Sequence, residues 1–323
     1  MSHPYNSIEL SIIIPCYNSE KSLHELNIAL NHVLSSMELT YEIIYVNDCS
    51  KDNTISVLKE LASTDSQVKV VDLMFNIGQF RTLYCGFEQA KGKYIITMDD
   101  DLQHPPEEIP KLYERIKDDE NVDAVFGAYS TKEHSYFRNL GSSLIKFVNE
   151  KIYGKPKDLT MSAFRIMKRE LVETILSHKT ISPVLGAIIL KSTRNIVNVD
   201  IRHDKRKHGK SNYNLIKLIK TTLDNVLNFS SLPLQTISII GIVVALISFL
   251  FSIFYLALYF FTGSVVPGWT SIMVLLNFYA GLILISLGLI GEYLIRILME
   301  VNGTPKYKIR KIYTKETLDK NNV

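Results

Sequence analysis

Between Asn225 and Gly291 the chain contains no Asp, Glu, Lys, Arg or His, and this limits what it can fold into. An apolar stretch of about 20 residues matches the hydrocarbon core of a bilayer. Two such stretches are present, Leu234–Phe261 and Trp269–Gly291, joined by a short loop holding Gly263, Pro267 and Gly268. A buried hairpin in a soluble core is the alternative, but uncharged runs of this length argue for a pair of membrane-spanning helices. Arg202, Lys205, Arg206, Lys207 and Lys210 precede the pair, and Lys306, Lys308, Arg310 and Lys311 follow it. The connecting loop carries no Lys or Arg. This asymmetry predicts both flanks in the cytosol and only the loop outside, at the inner (cytoplasmic) membrane. The formal net charge of +3 is too small to indicate nucleic acid as a partner.

The residues before this block follow different rules. Met1 to Ile8 is polar and lacks the apolar core of a signal peptide, so the N-terminal region is expected to stay cytosolic. Cys16, Cys49 and Cys85 are far apart, with no CxxC. Free thiols in a reducing compartment are expected rather than a disulfide framework or a zinc site. Apolar runs at Leu10–Ile14, Tyr41–Val46, Val68–Leu73 and Tyr94–Met98 alternate with helical patterns marked by Leu23, Leu26, Leu30 and Val33, by Leu58 and Leu61, and by Leu83, Phe87 and Ala90. This alternation predicts an α/β domain with a mostly parallel sheet and helices on both faces. Ligands bind such sheets at the carboxyl ends of the strands. No GxGxxG follows the first strand, which argues against a dinucleotide cofactor.

From Asn212 to Phe229, Leu215, Ile216, Ile219, Leu223, Val226 and Leu227 fall on one helical face, with Lys217, Lys220 and Asp224 off it. Elsewhere in a chain this would read as a surface helix packed on a core. Directly before a membrane segment it predicts an amphipathic interfacial helix. The expected organisation is an α/β domain over residues 1–211, an amphipathic helix over 212–230, two spans over 231–298 and a basic tail over 299–323.

Three segments carry candidate chemistry. Asp99-Asp100-Asp101-Leu102-Gln103 directly follows the fourth apolar run. Consecutive carboxylates repel one another, and a divalent cation, Mg2+ or Mn2+, relieves that repulsion. Alternate carboxylates such as Asp99 and Asp101 suit a hard ion that also carries phosphate oxygens. A solvated acidic turn is the alternative, and the position at a strand end favours the metal. The EF-hand glycine and distal Glu are missing. Pro15-Cys16-Tyr17-Asn18-Ser19-Glu20 ends the first strand, and Asn47-Asp48-Cys49-Ser50-Lys51-Asp52-Asn53-Thr54 the second. A carboxylate there, Asp48, can accept the imide N–H of a uracil beside a packed Tyr ring. Ser50 or Asp52 can equally serve as a helix cap.

Together, "SIIIPCYNSE", "YEIIYVNDCSKDNT", "NIGQ", "YIITMDDDLQHPPEEI" and "GEYLIRI" resemble the family-2 glycosyltransferases of GT-A (Rossmann-like) fold. Within that family the resemblance is to the polyprenyl-phosphate branch, from about Leu10 to Lys308. The resemblance implies that Pro15, Tyr17, Asn18, Glu20, Asp48, Asp99 and Asp100 hold the nucleotide, and that Asp99, Asp101 and Gln103 hold the metal and diphosphate. It further implies that Arg138 and Ser142, in "FRNLGSS", receive the lipid phosphate. Arg206, Gly209, Ser211 and Tyr213, in "RKHGKSNY", form a basic loop over the phosphates. Asp99, Asp101, Arg138 and Arg206 are thus the implied catalytic set. Arginines near the interface suit an incoming lipid phosphate, although the same cluster could serve only to attract anionic headgroups. Many relatives carry an acidic residue before a Phe-Arg pair, where this chain reads Ser162-Ala163-Phe164-Arg165. Asp158 is the nearest carboxylate, and no catalytic role is given to it.

The activity so implied is inverting transfer of a sugar from a nucleotide diphosphate sugar, expected to be UDP-linked, to a polyprenyl (undecaprenyl) phosphate. Membrane lipids are expected partners, and a homo-oligomer, a tetramer among relatives, is implied as well. A processive polysaccharide synthase is the competing enzyme, but its Gln-x-x-Arg-Trp motif is missing and the single Trp is Trp269. A non-catalytic nucleotide-sugar sensor is the competing non-enzyme. It has no need of the metal ligands, yet all three carboxylates and Gln103 are present.

Overall fold

The structure, a computed structural model, describes residues 8–129, 155–178, 185–202, 268–301 and 307–320, with scattered positions between 239 and 261. The chain divides into two compact units: Met1–Leu215 with Pro305–Val323, and Ile216–Thr304.

In the first unit the expected alternation is present. It comprises β1 (Leu10–Cys16), α1 (Leu23–Ser36), β2 (Tyr41–Asn47), α2 (Thr54–Thr64), β3 (Val68–Leu73), α3 (Gln79–Gln89) and β4 (Tyr94–Thr97). There follow α4 (Ile109–Lys117), β5 (Ala124–Tyr129), β6 (Arg165–Lys168), α5 (Arg169–Ser177), α6 (Leu185–Ser192) and β7 (Ile196–Ile201). The apolar run of β1 reflects burial on both sides. Leu10, Ile12, Ile14 and Cys16 join a core with Leu23, Leu26 and Leu30 of α1, Leu58 of α2 and Leu112 and Ile116 of α4. Ile13 points the other way, onto α3, as the two-residue period of a strand requires. A Cβ at Gly86 of α3 would lie 2.3 Å from Ile13 Cγ2 and 3.4 Å from Val46 Cγ2. Glycine is what lets that helix approach so closely.

Ser11 is a buried polar residue in this apolar strand, and its hydroxyl is fully occupied. It donates to Glu42 Oε1 at 2.7 Å and accepts the N–H of Gly92 at 2.7 Å. Glu42 also accepts the Lys91 N–H at 2.6 Å and pairs with Lys69 at 3.3 Å. This network closes the amino end of the sheet, leaving the opposite end for ligands.

In the second unit a long helix, α7 (Trp269–Val301), spans 33 residues, and the scattered described positions between 239 and 261 are helical as well. Taken over the described residues alone, no helix is long and apolar enough to cross a membrane. The sequence of α7 nevertheless carries no charge before Glu292, and Ile272, Leu275, Ile283 and Leu287 on it are more than half exposed. The amphipathic helix expected over 212–230 and most of the first apolar segment lie outside the described residues.

After this unit the chain returns to the sheet. The segment read from sequence as a basic tail supplies β8 (Ile309–Tyr313) and α8 (Lys315–Asp319). The α/β unit is therefore built from both sides of the apolar block rather than from residues 1–211 alone. β8 pairs antiparallel with β3, with Val70 opposite Tyr313 and Leu73 opposite Ile309. Arg310 and Lys311 interrupt its apolar pattern, and charged residues of this kind are common on strands at a sheet edge.

The sheet order is β7-β5-β6-β4-β1-β2-β3-β8. β1 to β4 are mutually parallel, β6 runs against both β4 and β5, and β7 is parallel to β5. β7 therefore ends, at Ile201, on the same side as β1, β2 and β4. β8 begins there too, opposite the end of β3. Both chain connections to the second unit thus leave the sheet at the carboxyl ends of its parallel strands. They do so at its two opposite edges, roughly 34 Å apart at about 4.8 Å per strand spacing.

Gly92→Ala tests the packing at the closed end. Its Cβ would fall 2.5 Å from Ser11 N and 2.8 Å from Leu10 C, backbone atoms that cannot turn aside. A loss of about 1–3 kcal/mol is expected, read as a lowered thermal midpoint. An unchanged midpoint would contradict the tight approach.

Candidate active site

The loops after β1 and β2 are sewn together by reciprocal hydrogen bonds. Asn18 N donates to Ser50 Oγ at 3.0 Å, and Lys51 N returns to Asn18 Oδ1 at 2.8 Å. Glu20 N donates to Asp52 Oδ2 at 3.3 Å, and Asn53 N to Glu20 Oε2 at 3.0 Å. Ser19 N donates to Thr54 Oγ1 at 2.7 Å. Asn18, Cys49 and Leu102 all have positive φ, at 56°, 53° and 60°. Each lies in the turn just after one of β1, β2 and β4. Left-handed backbone at non-glycine residues concentrates where function overrides local preference.

Asp48, buried at 4% exposure, reaches a third loop. Its Oδ1 accepts the Ile77 N–H at 2.7 Å and its Oδ2 the Gly78 N–H at 2.9 Å. Asn76 Nδ2 donates to Asp48 O at 3.0 Å. Burial pushes its carboxyl above the usual range, and these two backbone donors pull it back. In this structure Asp48 therefore fixes the "NIGQ" loop ahead of α3. The Thr82 side chain adds a further hydrogen bond to the same carboxylate. Gly78 takes φ 85° and ψ 153°, a conformation that side chains of L-residues rarely adopt.

From that loop Gln79 Nε2 donates to Asp99 Oδ1 at 2.6 Å. Asp100 points the other way. Its Oδ2 accepts a short hydrogen bond from Ser19 Oγ, tying the acidic run to the β1 loop. Burial chiefly, with Asp101 adding to it, pushes the Asp100 carboxyl up to about 6, although Ser19 and the Tyr17 N–H hold it down. Asp101 Oδ1 accepts the N–H of Gln103 at 3.1 Å, so the chain turns at Leu102. The structure thus brings Pro15, Tyr17, Asn18, Glu20, Asp48 and the run from Asp99 to Gln103 to one end of the sheet. Tyr17 and Asn18 are exposed there.

Two groups join this site without having been singled out from sequence. Arg165, at the start of β6, is 5% exposed and pairs with Thr97 of β4 and Phe126 of β5. Its Nε donates to Thr97 Oγ1 at 3.0 Å, and its guanidinium lies 5.5 Å from the centre of the Phe126 ring. Burial pushes Arg165 down to about 10, with the charge of Asp99 acting against that shift. A fixed cation therefore sits beside the acidic run. In sequence Arg165 stood out only as the second residue of the Phe164-Arg165 pair, to which no role was given. The second group is Arg202, just after β7, whose Nε lies 3.1 Å from Glu108 Oε1. Lys111 pairs with Glu108 at 2.5 Å. Burial alone would raise the Glu108 carboxyl, and these two cations hold it below the usual range. The pair anchors the end of β7 to the segment that follows the acidic run.

Among the described residues no group of three or more His, Cys, Asp or Glu is arranged to hold a metal ion by itself. Arg138, Ser142, Arg206, Gly209, Ser211 and Tyr213 lie outside the described residues, so no geometry is given to the expected acceptor-phosphate set.

A family model described as Glycosyl transferase family 2 matches residues 11–176. An uncharacterized glycosyltransferase, YkcC, of Bacillus subtilis (strain 168) is 30% identical over 307 residues, covering 95% of this chain and 94% of that one. An undecaprenyl-phosphate 4-deoxy-4-formamido-L-arabinose transferase of Edwardsiella ictaluri (strain 93-146) is 32% identical over 309 residues, 94% of each chain. Among solved structures, glucosyl-3-phosphoglycerate synthase from Mycobacterium tuberculosis, in complex with Mn2+, UDP and phosphoglyceric acid, superposes with a TM-score of 0.51 at 17% identity. The match covers 68% of this chain and 76% of that one, a likeness of fold.

Gly78→Ala probes the loop held by Asp48. A Cβ at Gly78 meets nothing within 4 Å, so the cost is purely conformational, about 1–3 kcal/mol. A lowered thermal midpoint is expected, and a midpoint equal to wild type would show that the left-handed geometry is not required.

Proposed function

The chain belongs to glycosyl transferase family 2, in its polyprenyl-phosphate branch, and on that premise we propose that it transfers one sugar from a nucleotide diphosphate sugar to a polyprenyl phosphate. It is an enzyme of the transferase class with a GT-A-like α/β fold. One observation carries the choice of acceptor. The acidic run lies at the carboxyl end of the sheet, and both connections to the apolar unit leave from that same end. An acceptor whose phosphate is tethered to lipid suits that arrangement better than a freely diffusing one. The names of the full-length relatives support the same reading.

The donor set of Asp99, Asp101 and Gln103 offers oxygen only, as a hard divalent cation requires. Few protein ligands are needed when diphosphate oxygens complete the shell, which fits the lack of a larger acidic cluster among the described residues. Mg2+ or Mn2+ bound there would supply Lewis-acid neutralisation of the nucleoside diphosphate leaving group. Gln79 donates to Asp99, and the buried Arg165 acts on it through charge. Tyr17 and Asp48 flank the position expected for the base. An acceptor phosphate oxygen attacks the anomeric carbon while the bond to the diphosphate oxygen breaks, inverting that centre. The phosphate is already anionic near neutral pH, so no strong general base is needed. Orientation and electrostatics carry the rate. A uridine diphosphate donor is the reading that Asp48 and Tyr17 favour. Arg138 and Ser142, and Arg206, Ser211 and Tyr213 on the basic loop, are proposed to receive the acceptor phosphate.

The apolar unit is proposed to anchor the enzyme as a helical hairpin. β8 belongs to the same sheet as β3, so both flanks share one side of any membrane, which supports an even number of crossings. The basic flanks favour the cytosolic side. An impermeant thiol reagent applied to intact cells is expected to label Ser264→Cys, and to reach Asp319→Cys only after permeabilisation. External labelling of Asp319→Cys would overturn the topology.

Asp101→Ala tests the catalytic reading. Transfer to undecaprenyl phosphate is expected to fall at least about 100-fold, the scale of losing one electrostatic stabiliser. Membrane insertion should be retained. Wild-type activity in the variant would refute the role of the acidic run.

A further inference from the structure

Exposed large apolar side chains in the described part of the α/β unit are few and unevenly placed. They are Tyr17, Ile28, Met74, Phe75 and Phe80. All but Ile28 lie at the carboxyl end of the sheet, and three of them fall within residues 74–80, the loop after β3 and the first two residues of α3. Met74, Phe75 and Phe80 are 42%, 46% and 42% exposed, and gathered within seven consecutive residues they make a local apolar patch of the kind that can mark an interaction surface. The segment returning from the apolar unit grips this loop. Met74 N donates to Lys308 O at 2.9 Å, and Arg310 Nη2 donates to Met74 O at 3.3 Å. Lys308 and Arg310 are themselves exposed, but Arg310 also pairs with the buried Asp72 at 3.8 Å, so it serves to hold the segment while Lys308 places a cation beside the apolar tip. Aromatic and aliphatic side chains bordered by Lys and Arg fit the boundary between headgroups and acyl chains of an anionic bilayer.

We propose that residues 74–80 form a membrane-contacting segment, with Phe75 and Phe80 seated in the lipid interface and Lys308 at the anionic headgroups. The inference rests on the proposed membrane anchoring and goes beyond it, because it gives the α/β unit its own contact with lipid. The same loop carries Ile77 and Gly78, which hold Asp48, and Gln79, which holds Asp99. Lipid contact there bears directly on the geometry of the donor site.

The chain has a single tryptophan, Trp269, which makes a clean test available. In a full-length Trp269→Phe background, Phe75→Trp, Ile28→Trp and Leu287→Trp are each reconstituted into phosphatidylcholine–phosphatidylglycerol vesicles whose acyl chains are brominated. The expected result is strong quenching of the reporters at 75 and 287, with the reporter at 28 retaining its emission. Quenching at 287 without quenching at 75 would overturn the loop contact and leave the anchoring intact. Absence of quenching at both would overturn the anchoring and the loop contact together. A reporter at 75 that ignores brominated lipid but shifts on adding UDP would assign the apolar tip to the nucleotide site instead, and the proposal would fail.

Discussion

Parallel pairing of β1 with both β2 and β4 is the constraint from which the site follows. It forces three strand ends to one side of the molecule, and each strand ends in a turn that takes a non-glycine residue to positive φ. Those turns do not stand alone. Asn18 and Glu20 exchange hydrogen bonds with the β2 loop. Ser19 reaches Asp100 in the acidic run, and Asp48 fixes the loop before α3. A ligand arriving there would meet groups already ordered by one another, so little conformational entropy would remain to be lost on binding.

Electrostatics within this end of the sheet are similarly arranged in advance. Three adjacent carboxylates would repel one another if solvent were the only relief. Asp100 is drawn into the fold by Ser19, Asp99 has Gln79 and the buried Arg165 nearby, and Asp101 turns onto its own following backbone. Each of the three carboxylates thus has a hydrogen-bond donor of its own. Arg165 is fixed by Thr97 and Phe126 on the two neighbouring strands, and a lysine could not reproduce its planar contacts. Further out, the ion pairs of Glu108 with Arg202 and Lys111 tie the end of β7 to the acidic segment.

The first four strands were legible because each is largely buried on both faces and so appears as a mostly apolar run, interrupted at Ser11, Glu42, Lys69 and Asp72. The acidic run was legible because three carboxylates in sequence are costly unless used. β8 was not, since an edge strand of five residues with Arg310 and Lys311 in it has the composition of a solvated tail. Arg165 was missed for a different reason: its meaning comes from Thr97, Phe126 and Asp99, all distant in sequence. The partnership of Asp48 with Ile77 and Gly78 is likewise a tertiary fact, visible in sequence only as a glycine in "NIGQ". Both chain connections leave the sheet at its active end because β6 and β8 run against their neighbours, and strand direction is not written in residue pattern.

The most direct measurement supplies the purified full-length chain and undecaprenyl phosphate with a panel of labelled nucleotide sugars, with and without Mg2+ or Mn2+. Label should pass from one donor into the lipid fraction, and only when both the lipid phosphate and the divalent ion are present. Binding of nucleotide sugars with no transfer to lipid phosphate from any donor in the panel would contradict a polyprenyl-phosphate glycosyltransferase.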